Sequence, residues 1–177
     1  FRTWELAGNY PRILEDEKVG AAAKDLFKDA QAMLQRLVGE QWLTARAVFG
    51  FFPANSVGDD VEIYTDETRT TVLKTVHFLR QQMSKSAGRT NFCLADFVAP
   101  EGQNDHLGCF AVTIHGATDL AKTYEADHDD YHSIMVKILA DRLVEAFAEY
   151  LHKVVRTNDW GYVLSEDLDN DMLIREK

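Results

Sequence analysis

The sequence has few cysteines, few prolines and no long apolar run. Its two cysteines, Cys93 and Cys109, are too few for a disulfide scaffold or a four-cysteine zinc site, and so few cysteines are typical of a reducing cytoplasm. No apolar run approaches the roughly 20 residues that a membrane-spanning helix needs, so we expect no integral membrane protein. With three prolines and no serine- or glycine-rich stretch, the sequence shows no interdomain linker.

Basic residues are also scarce. The chain of 177 residues has 19 Lys and Arg against 29 Asp and Glu, a net charge of -10. A field of this sign repels phosphate backbones, which argues against nucleic-acid binding. Apolar residues make up 46% and charged residues 27%, an ordinary globular composition. A chain of this length buries a core without a disulfide or a structural metal, and we expect neither.

The two ends of the sequence indicate a piece of a longer polypeptide. The sequence begins at Phe1 instead of a methionine, and no signal segment follows. It ends in a helical pattern over 173–177 without the glycine or proline that commonly closes a helix. We therefore treat residues 1–177 as one domain that is incomplete at both ends.

Hydrophobic periodicity in the first half predicts two helices and a hairpin. A helix is predicted over 18–40, and strands over 45–53 and 60–65 form the hairpin. A second helix is predicted over 66–85, with Asp66 as its N-terminal cap. Its expected buried stripe is Val72, Val76, Leu79 and Met83.

The second half predicts two more strands, over 91–98 and 106–115, and then helices. The helical pattern runs over 119–156, with an interruption near His128, and is strongest over 131–155. That helix is expected to pack the face formed by Leu139, Leu143 and Phe147 against the rest of the domain. A short last helix is expected to start at Ser165 or Asp167 and to run through Met172 and Leu173. Because strands come in hairpins instead of βαβ repeats, the predicted class is α+β, one domain with a central antiparallel sheet and flanking helices.

The predicted long helix has an acidic face. Asp141, Glu145 and Glu149 follow one another at intervals of four residues, so their carboxylates line one side of the helix. One interpretation is a solvated surface, relieved by Arg142 and Lys153. The other is a wall that binds a cation, since a carboxylate about 4 Å from a positive ligand gains roughly 4 kcal/mol before desolvation at an effective dielectric constant near 20.

Two histidines in the same region allow a metal hypothesis. His128 and His132 are four residues apart, which places two imidazoles on one helical face. A third and a fourth ligand would have to come from elsewhere, and His106 and His115 are possible. The alternative is a polar helix start, with the neighbouring aspartates near the positive end of the helix dipole. We expect no metal site. Cys93 lies in an apolar run without an adjacent base, which is typical of a core residue.

Several long and irregular strings resemble the C-terminal activation domain of cobalamin-dependent methionine synthase, of the bacterial type. The resemblance runs in order through essentially the whole chain. The strings are TWELAGNYPRILEDEKVG, GFFPANSVGDDVEIYTDETRT, LRQQ, CLADFVAP, HDDYHSIMVKILADRLVEAFAEYLH and LIRE.

The resemblance implies a function and a set of partners. Domains of this family bind S-adenosylmethionine and serve a cytoplasmic enzyme that moves a methyl group from methyltetrahydrofolate to homocysteine through cobalamin. When cobalamin is oxidised to the inactive cobalt(II) form, the activation domain docks on the cobalamin-binding domain of the same parent chain. Flavodoxin or a related flavoprotein reductase supplies one electron, and S-adenosylmethionine supplies the methyl group. Such a transfer depends on positioning, so no acid–base catalytic residue is expected.

The resemblance also assigns two binding residues. The string that contains Glu145 matches the family's long helix, which places an S-adenosylmethionine contact on Glu145, and Glu176 matches an acid near the ligand in bacterial members. The family's Arg-Pro-Ala-Pro-Gly-Tyr motif and an upstream aspartate, which make major ligand contacts, fall outside residues 1–177. The alternative is therefore a non-catalytic docking module, for a flavoprotein or a cobalamin domain, without a working S-adenosylmethionine site.

Docking of an acidic flavoprotein on an acidic domain needs a local basic patch. The sequence offers one candidate near the end of the predicted second helix. It consists of Lys74, Arg80, Lys85 and Arg89.

Overall fold

The computed structural model describes residues 1–163, Glu166 and Met172. The four strands of this part form one antiparallel sheet with the order β3-β2-β1-β4, and three helices accompany it, which confirms the predicted α+β class. In chain order the elements are α1 (Gly20–Gly39), β1 (Thr44–Val57), β2 (Asp60–Tyr64), β3 (Val72–His77), β4 (His106–His115), α2 (Ala117–Ala126) and α3 (Asp130–Val154).

The chain divides into two compact units, each with a core of its own. One unit comprises Phe1–Arg46 and Val112–Lys177, and the other comprises Ala47–Ala111. The core of the first unit lies among its three helices, where apolar residues at helical spacing meet. Its buried members are Leu26, Met33, Leu37, Ala121, Met135 and Val136.

The second unit has a smaller core beneath β1 and β2. Ala54, Val61, Cys93 and Ala95 are buried there, next to partly buried Phe78, Val98 and Leu107. Asn55 is also buried, at 1% exposure. Its amide nitrogen donates hydrogen bonds to the carbonyl oxygens of Ala99 (3.1 Å), Pro100 (3.0 Å) and Gln103 (2.7 Å). One side chain thus ties the loop before β4 to strand β1.

The two C-terminal helices begin at backbone positions that break the preceding element. Gly116 precedes α2 with a φ of 96°, and a Cβ there would lie 2.5 Å from the carbonyl oxygen of Trp42, so only glycine fits. His128 has a φ of 59° between α2 and α3. Asp129 then caps α3 by accepting a hydrogen bond from the backbone N–H of His132 (3.1 Å). The predicted interruption near His128 is confirmed.

The predicted helix over 66–85 is wrong, because residues 72–77 form strand β3. Asp66 caps a tight turn instead of a helix, since its carboxylate accepts from the backbone N–H of Thr68 (2.9 Å) and Arg69 adopts a φ of 54°. The next segment, TTVLKTV, is rich in β-branched residues, which favour a strand. It pairs with β2 at Val61 opposite Val76.

The predicted strand over 91–98 is also wrong. Leu94–Phe97 forms a short 3-10 helix, whose start is fixed by Asp96 accepting a hydrogen bond from the backbone N–H of Cys93 (2.9 Å). Burial alternates over 92–95, as it would in a strand, but the alternation breaks at Asp96 and Phe97, which are both exposed. Cys93 is buried, whereas Leu94 and Phe97 are 65% and 74% exposed.

The predicted last helix over 165–173 lies outside the described residues, apart from Glu166 and Met172. Glu166 is described and forms a buried ion pair with Arg156 (Nε to Oε2 2.5 Å). Within the described residues, no helix has the length and apolar character needed to cross a membrane.

Replacing Asn55 tests its role in the second unit. Asn55→Ala removes the donor for three carbonyl groups, and we expect the free energy of unfolding to fall by about 1–3 kcal/mol. Urea denaturation followed by circular dichroism measures this change. Asn104→Ala, at an exposed position of the same loop, is the matched control and should leave stability unchanged. Equal stability of both variants would contradict the role given to Asn55.

Candidate functional site

Helix α3 presents different chemistry on its two sides. One side is buried in the core of the first unit through Met135, Val136 and Ala140, and partly buried Leu139 packs there as predicted. Leu143 and Phe147 are half-buried. Since the buried side and the N-terminal cap hold the helix in place, the side chains on its other side have a fixed base.

The predicted acidic face lies on the exposed side of α3. Asp141, Glu145 and Glu149 are all exposed. The carboxylate of Glu145 forms a two-pronged ion pair with Arg142, at 2.6 and 2.7 Å, and the two side chains remain 57% and 65% exposed. A cationic ligand can therefore reach Glu145, in competition with Arg142.

A shallow cleft of about 280 Å³ lies one helical turn away from Glu145. It is formed by the end of β4, the start of α2 and the middle of α3. Asp141 and Lys137 bring opposite charges to its wall, and Thr113 and Thr118 bring hydroxyl groups. The cleft is slightly smaller than usual ligand pockets, and its wall combines these polar groups with apolar residues.

The sequence does not predict the cleft, although Asp141 of the predicted acidic face lies in its wall. Lys137 precedes Asp141 by one turn, which is a signal that the sequence contains. The two threonines give no such signal, because only the packing of β4 and α2 brings them to α3. The other predicted binding residue, Glu176, lies outside the described residues.

The histidines are not arranged as a metal site. His132 Nδ1 lies 2.6 Å from the carboxylate of Asp129, its own helix cap, and its ring stacks on Tyr124. His106 and His115 are at opposite ends of β4. Among residues 1–163, Glu166 and Met172, no three His, Cys, Asp or Glu side chains form a group that could hold a metal ion. Cys93 is a buried free thiol and Cys109 an exposed one.

The four residues of the predicted basic patch do not lie at the end of a helix, because the helix predicted over 66–85 does not form. Lys74 lies on β3, and the other three residues lie in or at the loop that follows. Arg80 is not available to a partner, because its guanidinium bridges Asp59 and Asp96 at 2.7 Å each. The hydrogen bonds from Arg80 and from the backbone N–H of Cys93 lower the pKa of Asp96 to about 2.

The pKa of Asp96 predicts a pH dependence of stability. A carboxyl group with a pKa lowered from 3.8 to about 2 stabilises the fold above its unfolded pKa, and this stabilisation is lost as the pH falls through the folded pKa. We expect Asp96→Asn to be less stable than the parent chain at neutral pH and the difference to shrink below about pH 4. Denaturation at a series of pH values measures it.

The control for this experiment is Asp25→Asn, which removes one negative charge from an exposed position on α1. A stability difference between Asp96→Asn and the parent chain that stays constant from neutral pH to pH 2 would contradict the role of the Arg80 bridge.

The fold and the site define an α+β domain whose anchored helix offers exposed carboxylates beside a small cleft of mixed polarity. The model of the family described as "Vitamin B12 dependent methionine synthase, activation domain" matches residues 1–177. The chain belongs to this family, and the resemblance seen in the sequence is confirmed.

A solved structure gives the same result. The chain is similar to the crystal structure of the MetH reactivation domain bound to AdoHcy, with 60% sequence identity and a TM-score of 0.89. The match covers 99% of this chain and 55% of that chain, so the sequence spans about half the length of this neighbour.

Proposed function

We propose that the chain is the S-adenosylmethionine-binding part of a domain that reactivates a cobalamin-dependent methionine synthase. The observation that carries the proposal is the 60% identity, over 99% of this chain, to a reactivation domain bound to AdoHcy. AdoHcy is what remains of S-adenosylmethionine after methyl transfer, so a domain that binds one fits the other.

The described residues fit a cationic methyl donor. S-adenosylmethionine has a sulfonium and an ammonium group, and the exposed carboxylate of Glu145 suits either one. Asp141 and Glu149 add negative charge on both sides of Glu145 along α3. The role of these residues is to bind and orient the donor. In the proposed reaction, one electron first reduces the cob(II)alamin substrate to cob(I)alamin. The methyl group then passes from the sulfonium sulfur to the reduced cobalamin as the S–CH3 bond breaks, and S-adenosylhomocysteine remains.

The proposed partners follow from this chemistry. Cobalamin is held by a neighbouring domain of the same parent chain, and the electron comes from flavodoxin or a related flavoprotein reductase. The active site for methyltetrahydrofolate and homocysteine belongs to other domains of the parent enzyme. The proposed location is the cytoplasm, which is consistent with two free thiols.

Glu145 is the residue through which this proposal is tested. Glu145→Gln keeps the size of the side chain and deletes its charge, so we expect S-adenosylmethionine binding to weaken by about 1–3 kcal/mol. Folding stability should barely change, because the side chain is exposed. Calorimetric titration of the complete gene product measures the affinity. Glu149→Gln, one turn further on, is the matched control and should have a smaller effect. Equal affinity of the parent protein and Glu145→Gln would show that the acidic face is a solvated surface that does not bind the ligand.

Arg142 gives an independent test of the same site. Because Arg142 occupies the carboxylate of Glu145, a cationic ligand has to displace it. Arg142→Gln removes the competitor, and we expect S-adenosylmethionine to bind more tightly by up to about 1 kcal/mol, the usual value of an exposed ion pair. In the Glu145→Gln background the same substitution should have no such effect. Weaker binding by Arg142→Gln alone would show that Arg142 contacts the ligand instead of competing with it.

A further inference from the structure

The second unit contains a long segment without any acidic residue. From residue 68 to residue 95 there are five basic residues and no Asp or Glu, in a chain with a net charge of -10. Arg69 pairs with Glu67, and Arg80 pairs with Asp59 and Asp96. The other three, which have no carboxylate partner among the described residues, are Lys74, Lys85 and Arg89.

Two of these three cations lie in a loop of defined shape, residues 79–92, which we call the basic loop. Its two limbs are joined by the backbone N–H of Gln81 donating to the carbonyl oxygen of Phe92 (2.9 Å). Nearer the tip, Lys85 Nζ donates to the carbonyl oxygen of Thr90 (2.8 Å) and to Oε1 of Gln81 (2.5 Å). A turn through Gly88, with a φ of 86°, closes the loop. The basic loop therefore holds its shape without being a helix or a strand.

The basic loop exposes large apolar side chains next to its cations. Leu79, Met83 and Phe92 are 96%, 64% and 54% exposed. A groove of about 710 Å³ runs along the loop, with Met83 and Phe92 contributing apolar surface and Lys85 and Arg89 contributing charge. Apolar groups surrounded by charge are typical of surfaces that bind another protein.

We propose that the basic loop is the docking surface for an acidic protein, and that this protein is the flavoprotein electron donor of the proposed function, on which this inference therefore rests. Charge complementarity selects the occupant. The chain as a whole has a net charge of -10 and repels an acidic partner, whereas Lys85 and Arg89 of the basic loop attract one. Exposed Leu, Met and Phe side chains add a contact that a nucleic-acid backbone would not use.

The proposal predicts that charge and apolar surface act on different aspects of binding. Attraction between Arg89 and an acidic surface is screened by salt, whereas burial of Leu79 is not. We expect Arg89→Glu to weaken flavodoxin binding about tenfold at low ionic strength and to flatten the salt dependence of the dissociation constant. Leu79→Ser should weaken binding a few-fold at every salt concentration.

The experiment uses the complete gene product and purified flavodoxin, with binding followed by calorimetry between low and high salt. Two matched controls lie on α1: Lys24→Glu makes the same charge change, and Val38→Ser removes an apolar side chain that is 67% exposed. Neither should weaken flavodoxin binding as much as its counterpart. Thermal unfolding checks that each variant is folded.

Reactivation assays separate failure of the docking surface from failure of the proposed function. With titanium(III) citrate as the electron donor, Arg89→Glu should reactivate as fast as the parent protein, whereas with reduced flavodoxin it should be slower. If the parent protein were reactivated with neither electron donor, the proposed function itself would be overturned. Flavodoxin binding by Arg89→Glu within twofold of the parent protein, or an equal loss in Lys24→Glu, would overturn the docking surface. So would a loss of self-association, or of binding to anionic vesicles, in Arg89→Glu with flavodoxin binding unchanged.

Discussion

The packing of α3 on α1 and α2 is the interaction on which the candidate site depends. Met135 and Val136 are almost completely buried, at 2% and 0% exposure, so the helix has one position relative to its neighbours. Because the residues of one helix move together, this burial also fixes Asp141 and Glu145 on the other side. The cleft beside Asp141 is formed by the same packing, since α2 and the end of β4 supply its other walls.

The second unit is organised in another way, by polar side chains that hold irregular backbone. Asn55 satisfies three carbonyl groups of one loop, and Arg80 joins Asp59 on the β1–β2 turn to Asp96 on the short 3-10 helix. Few apolar residues are buried there, so these contacts supply much of what defines the backbone. Because polar contacts define the backbone of the second unit, the apolar side chains of the basic loop are not needed in its core and lie at the surface.

The sequence predicted the first unit well and the second unit poorly, for a physical reason. Helices α1 and α3 have long apolar stripes of regular period, and tertiary packing agrees with them. The segment 66–97 has apolar residues at spacings that fit a helix or a strand, and the hydrogen bonds that the carboxylates of Asp66 and Asp96 accept from backbone N–H groups decide the outcome. The hydrophobic periodicity of a sequence does not show which N–H group a carboxylate will bind. The acidic face was visible for the same reason as the helix, whereas the cleft needed three separate elements to meet.

The pair between Glu145 and Arg142 has a consequence for the domain without a ligand. Carboxylates at intervals of four residues on one helix repel one another by a few tenths of a kcal/mol, and Arg142 pairs with the middle one, Glu145. Glu145 thus has a counter-ion on its own helix. Under the proposed function the donor would replace this counter-ion, so that the carboxylate of Glu145 would be balanced by a cation both with and without the donor.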